Sequence, residues 1–177
     1  MSYIADDLFS VIIPYMNRDD LLILSTINDR LKQLVYKYTL PFEYQTDSIM
    51  HCIRLQKQFK KVQLNFICSN DITDTDLKKL TNITKLNLLY NFKITDDCLL
   101  KFKNKLTELI LGNHINISNA CVQELTNLTK LDIQNNTKIN SICLNKLTKL
   151  EYLNIYNTYI NKKLLINNIK TIIDTKN

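Results

Sequence analysis

The chain has 177 residues, 45 % of them hydrophobic, with 23 Lys/Arg against 17 Asp/Glu for a net charge of +6. That is enough apolar material for one ordinary domain or two small ones, which argues against disorder over most of the length. One glycine and two prolines exclude a glycine-rich nucleotide cradle and argue against an all-β sandwich built on glycine hairpins, while 22 asparagines can serve the left-handed turns.

The opening MSYIADDLFS carries acids where a secretory leader carries positive charge, and no apolar run reaches the ~18 residues of a membrane span. The expectation is a cytoplasmic or nuclear protein (host-cell cytoplasm if viral) with no membrane partner. Residues 4–36 read as helical. Leu8, Ile12, Tyr15 and Met16 share one helical face, and Pro14 removes a backbone donor, which ends the first helix about a turn early. A second helix opens after Asn17 or Asp19, either of which can cap it, and runs on through Leu21-Leu22-Ile23-Leu24. Leu24 continues one face from Leu21; Ile27, Leu31 and Leu34 continue another from Ile23. A three-helix unit this small cannot bury both faces internally, so one of them needs the rest of the chain or another protein. TLPFEYQTDS, 39–48, reads as a linker. The helix after it, about 47–58, has Ile49, Cys52, Ile53 and Leu55 to close the N-terminal end of the downstream part of the chain, making residues 1–36 dispensable as a lid.

From there the chain repeats itself. ITKLNLLYNFKI from Ile83, LTELILGNHINI from Leu106, LTKLDIQNNTKI from Leu128 and LEYLNIYNTYI from Leu150 start 23, 22 and 22 residues apart, and a looser copy, FKKVQLNFI from Phe59, lies 24 before the first. The pattern L-x-x-L-x-L-x-x-N at this spacing is the leucine-rich repeat signature. Its period of two points the leucines into a solenoid and the residues between them onto a concave face. Among those outward positions, Asn65, Asn87, Leu89, Ile110, Asp132, Gln134, Tyr152 and Tyr156 are the candidate target-binding residues, with Leu89 and Ile110 side by side. Asn91 and Asn136 are placed to bond backbone groups at the bend, where His114 and Thr158 take the same phase. Cys98, Cys121 and Cys143 each fall 15 residues after their repeat's first apolar position, and a fixed phase marks a packing residue. An odd total of five cysteines fits reduced thiols, and the spacing puts them on successive coils, not around one ion. Neither a metal nor a cofactor is expected. The tail offers Ile166, Ile169, Ile172 and Ile173 as a terminal cap.

Residues 1–40 hold four basic and five acidic side chains, so the remainder carries +7, without a run of five like charges. That fits a solvated Lys-rich surface better than a nucleic-acid stripe, and nucleic acid is not the expected partner. No nucleophile–base pair or carboxylate dyad stands out, so an enzyme is not expected.

The order Ile4-x-x-Asp7-Leu8-x-x-x-Ile12-Ile13-x-Tyr15-Met16-x-x-x-Asp20-Leu21, followed by Leu24, Ile27, Arg30, Leu31 and Leu34, resembles the F-box motif over about 33 residues. Ala5, Asn28 and Leu31 stand where the family usually has proline, cysteine and tryptophan. DITDTDLKKL and KITDDCLLKF resemble the cysteine-containing leucine-rich repeats common in F-box proteins. The expected fold is α/β: an F-box-like helical module at 1–38, a linker and cap helix at 39–58, and a leucine-rich repeat solenoid of about five units at 59–177, with parallel strands on its concave face. The resemblance implies a substrate-recruiting receptor of a cullin-type ubiquitin ligase. Ile4, Leu8, Ile12, Leu21, Leu24 and Ile27 would be its adaptor-binding or module-core residues toward a Skp-type adaptor, with a protein substrate on the repeats. The alternative is a non-enzymatic leucine-rich repeat scaffold with a purely structural helical head.

Overall fold

The structure, a computed structural model, describes residues 11–38, 43–58, 63–114, 116–165 and 169–174; the expected positions Ile4, Leu8 and Ile166 lie outside them. Val11 and Ile12 are helical, and the chain then tightens into a 3-10 turn at Ile13–Tyr15 around Pro14. Helix α1 (Arg18–Ile27) takes Asn17, not Asp19, as its cap, with Asn17 Oδ1 accepting from the Asp20 N–H at 2.9 Å. Helix α1 ends at Asn28, which is extended (φ −160°, ψ 165°). The Asn28 side chain accepts from the Leu31 N–H at 2.9 Å and so opens a separate helix, α2 (Asp29–Tyr38).

Part of the stretch read as a linker is a strand. β1 (Glu43–Thr46) pairs in parallel with β2 (Gln63–Ile67), and α3 (Ile49–Gln58) is the return helix between them. Then come β3 (Ile83–Asn87), β4 (Glu108–Ile110), β5 (Lys130–Asp132), β6 (Tyr152–Asn154) and β7 (Thr171–Ile173). The seven strands form one parallel sheet in sequence order, each pairing with the next: a leucine-rich repeat solenoid that begins one coil earlier than the leucine spacing indicates. β7 comes from the tail read as an apolar cap; it adds a strand, with Ile172 against the core.

The core is one apolar cluster. Leu86, Leu109, Leu131 and Leu153 stack inward from successive strands, backed by Leu88, Leu111, Ile133 and Ile155. Ile13, Leu21, Leu34 and Val35 of the head are buried in the same cluster as Cys52 and Leu55 of α3.

The first repeat has a different frame from the one the leucines suggest. Phe66 pairs with Leu86 and Ile67 with Asn87, after a register shift at Leu64/Asn65, so the repeat sits four residues later than an alignment from Phe59 places it. Val62-x-Leu64-x-Phe66-x-Cys68 is apolar at every second residue, so the strand period fits either frame.

The convex side carries α4 (Asp74–Leu77), α5 (Asp96–Leu100), α6 (Asn119–Glu124) and α7 (Ser141–Leu144), each of four to six residues. A ladder explains the recurring Ile-Thr-Asp. Asp74 accepts from the Thr95 N–H (2.9 Å) and hydroxyl (2.6 Å), and Asp96 from the Ser118 N–H (2.9 Å) and hydroxyl (2.5 Å). Asn119 continues it by accepting from the Asn140 N–H at 2.9 Å. Each acid at the first turn of one short helix thus holds the N-cap of the next, where the helix dipole also favours negative charge.

Candidate functional site

The concave face shows two rows of outward side chains, set by the strand register. One runs Asn65, Lys85, Glu108, Lys130, Tyr152; the other Ile67, Asn87, Ile110, Asp132, Asn154. Lys85 Nζ lies 2.8 Å from Glu108 Oε1, Lys130 Nζ is 4.0 Å from Glu108 Oε2, and the Lys130 ammonium stands 5.0 Å from the Tyr152 ring centroid. A shallow groove of roughly 210 Å³ opens over these rows, lined by Asn65, Ile67, Lys85, Asn87, Glu108, Ile110 and Lys130 among others.

Of the eight expected target-binding residues none is buried. The groove brings Asn65, Asn87 and Ile110 together. Asp132, Gln134, Tyr152 and Tyr156 lie farther along the face, outside it. Leu89 is not beside Ile110 in the sheet. It lies past the end of β3 and leans on Gly112, whose φ of +55° and 2.5 Å approach between an added Cβ and Leu89 Cδ1 favour glycine. Several outward polar groups are partly spent on ending strands: Asn87 Oδ1 accepts from the Leu89 N–H (2.8 Å), Asp132 from the Gln134 N–H (3.0 Å), and Asn154 from the Tyr156 N–H (3.0 Å). The repeat spacing already sets Glu108, Lys130 and Tyr152 at one phase of successive units; the ion pairs and the ring contact they make are what the sequence reading missed.

The bend positions behave as structure. Asn91 Nδ2 donates to the Ser69 and Ile72 carbonyls (2.6 and 2.8 Å), while its Oδ1 accepts from the Lys93 and Ile94 N–H groups (3.0 and 3.2 Å). Asn136 repeats this with the carbonyls of Gly112 and His114 and the N–H groups of Lys138 and Ile139. His114 fills the same place imperfectly. Its Nδ1 accepts from the Asn116 N–H at 3.3 Å, but Nε2 is buried with no partner. Asn116 Nδ2 takes over the missing donation and reaches the Phe92 carbonyl at 2.6 Å. Burial holds the His114 imidazole below its usual range against the opposing pull of Asp96, which suits a neutral packing residue.

All five cysteines are free and buried. Burial pushes the thiols of Cys52, Cys98 and Cys121 up to about 12 and raises Cys68 and Cys143 as well. Among the described residues, no group of three or more His, Cys, Asp or Glu could hold a metal ion, and no helix is long and apolar enough to cross a membrane.

The head presents the other candidate surface. Ile12, Ile23 and Ile27 are 45 %, 62 % and 60 % exposed, with Val11 and Tyr15 also open. Ile23 and Ile27 are one turn apart on α1, opposite the side that carries buried Leu21 and Ser25. The expected adaptor set therefore divides. Ile12 and Ile27 are exposed; Leu21, only 4 % exposed, and Leu24, packed against the core, are part of the apolar packing. Ile23 joins the outward group, a position the sequence pattern had placed on a face without assigning it a partner.

No family model and no curated protein matches the chain. Among solved structures, the chain is similar to internalin C2 of Listeria monocytogenes at 19 % identity and a TM-score of 0.47, over 81 % of this chain and 74 % of that one. It is also similar to a chain of the Rad7 and Elc1 complex of yeast at 16 % identity and a TM-score of 0.48, over 81 % of this chain and 50 % of that one, so it spans about half the latter's length.

Proposed function

We propose that the protein is a substrate-recruiting receptor of a cullin-type ubiquitin ligase, with the outer face of its head docking a Skp-type adaptor and the concave face of its solenoid holding the target. The observation that carries this reading is the division of the head's apolar surface. Leu21, Leu34 and Val35 are buried in the apolar core, while Ile12, Ile23 and Ile27 are exposed. Clustered exposed apolar side chains of this size mark an interaction surface. The contribution to catalysis is proximity, since the ligation chemistry would belong to other subunits.

Co-purification of the full chain with a Skp-type adaptor tests it, with Ile23→Asp plus Ile27→Asp as the variant. Both positions are exposed, so the fold should survive while adaptor binding is lost. A folded wild type that retains no adaptor would sink the reading. A second reading, a leucine-rich repeat scaffold with a structural head, is favoured by the burial of Ile13 and Val35 in the common core and predicts no adaptor binding by either protein.

A further inference from the structure

The concave groove contains a cation that the fold positions without saturating. Lys130 Nζ, on a side chain 44 % exposed, is 4.0 Å from Glu108, beyond hydrogen-bond reach, and 5.0 Å from the Tyr152 ring centroid. The closer bond of Glu108, at 2.8 Å, goes to Lys85. One carboxylate thus serves two ammonium groups, and the row Lys85–Glu108–Lys130 keeps one excess positive charge. The electron-rich face of Tyr152 fixes where that charge points, so less side-chain freedom is lost when an anion arrives.

Beside this row, Ile67 and Ile110 flank Asn87 from the strands on either side. Asn87 Oδ1 is spent on the Leu89 N–H, and its Nδ2 has no acceptor among the described residues. A cation, an apolar pair and an amide donor therefore share one groove. We propose that the groove binds an extended acidic peptide segment, with a carboxylate on Lys130, an aliphatic side chain between Ile67 and Ile110, and a backbone carbonyl accepting from Asn87 Nδ2. Strands about 4.8 Å apart and a rise of about 3.3 Å per residue separate the apolar pair from the Lys130 ammonium by roughly 7–10 Å, once the lysine's own reach is subtracted. That is two or three residues of extended chain. The inference rests on the recruiting reading above and names its target chemistry.

The test is an array of short peptides with both ends capped, so that termini carry no charge. A leucine is fixed in each peptide, and Asp, Glu, Gln or Lys is stepped through every other position. The intact wild-type chain should retain peptides with an acid two or three residues from the leucine and bind the Gln counterparts roughly tenfold more weakly, the loss expected for one charge-assisted contact. Lys130→Glu should turn the preference toward Lys, and Ile110→Asp should remove the need for leucine, each in a variant shown to be folded by circular dichroism. Indifference to the acid, an acid preference that survives Lys130→Glu, or retention of no peptide at all would overturn the proposal. Adaptor co-purification on the same preparations reads the head alone, so its failure beside an intact acid preference counts against the recruiting reading and not against the groove's chemistry.

Discussion

Replacing His114 by asparagine should stabilise the protein, and the gain should grow in acid. In the wild type, His114 Nε2 is buried without a partner, whereas the asparagines at the same phase satisfy four backbone groups each. A buried unpaired polar group costs about 1–3 kcal/mol. The substitution forfeits the ring contact with Phe92, whose centroid lies 5.7 Å from that of His114. Such contacts contribute about 0.5–1.5 kcal/mol. The net gain near neutral pH is then about 1 kcal/mol, which for a chain of this size raises Tm by roughly 2–4 °C.

The pH dependence carries a definite sign. Burial lowers the folded-state pKa of His114 below its unfolded value, so as pH falls below about 6.5 the unfolded chain binds a proton that the native state refuses. Wild-type stability declines through that window, by about 1.4 kcal/mol for each full pH unit crossed, until the folded pKa is reached. Asparagine does not titrate, and the remaining groups are common to both proteins, so the Tm difference isolates the imidazole. Thermal unfolding followed by circular dichroism at about pH 7.5 and at about pH 5.5 measures it. A variant that melts at or below the wild type at neutral pH, with the same gap in acid, would refute this account of the ladder.

Asn136→Ala should be among the most damaging polar substitutions: it strips partners from two carbonyls and two N–H groups at a buried bend, for a loss of roughly 3 kcal/mol or more in denaturant titration. Asn161→Ala, which removes one exposed bond to the Lys163 N–H, should cost under about 1 kcal/mol. Gly112→Ala places a Cβ 2.5 Å from Leu89 Cδ1 at a φ of +55°. It should lower stability by about 1–2 kcal/mol, and a second change, Leu89→Ala, should recover the steric part and leave the backbone part. The five thiols should resist a disulfide reagent in the folded protein at about pH 8 and all react once denaturant is added, because burial keeps them protonated.

The repeats were legible because Leu-x-Leu fixes both the inward side and the period, and from Ile83 onward strand register follows that spacing. Where leucines give way to other apolar residues the reading slipped: four alternating apolar positions before Ser69 allow two frames, and only pairing with β3 selects one. β1 was invisible for the opposite reason. Glu-Tyr-Gln-Thr has no leucine signature and becomes a strand by hydrogen bonding to β2. The partner that repairs the ladder at His114, Asn116, lies two residues away in sequence, but its acceptor is Phe92 on the previous coil, so local pattern could not announce it.

Head and solenoid should unfold as one unit, which bears on what a docked adaptor would feel. Leu34 and Val35 belong to the same apolar cluster as Cys52 and Leu55. A head joined only by a slack linker would melt separately, and Leu34→Ala would then affect that transition alone. With a shared core, Leu34→Ala should lower a single cooperative transition by about 2–5 kcal/mol, seen equally by hydrogen exchange in α2 and in the strands nearest it. Ile23→Ala, on the exposed side of the same module, should change stability by less than about 0.5 kcal/mol. Two separate transitions, or protection lost only in the head, would dismantle this coupling. A single transition with protection lost in both parts is the outcome that the shared apolar cluster predicts.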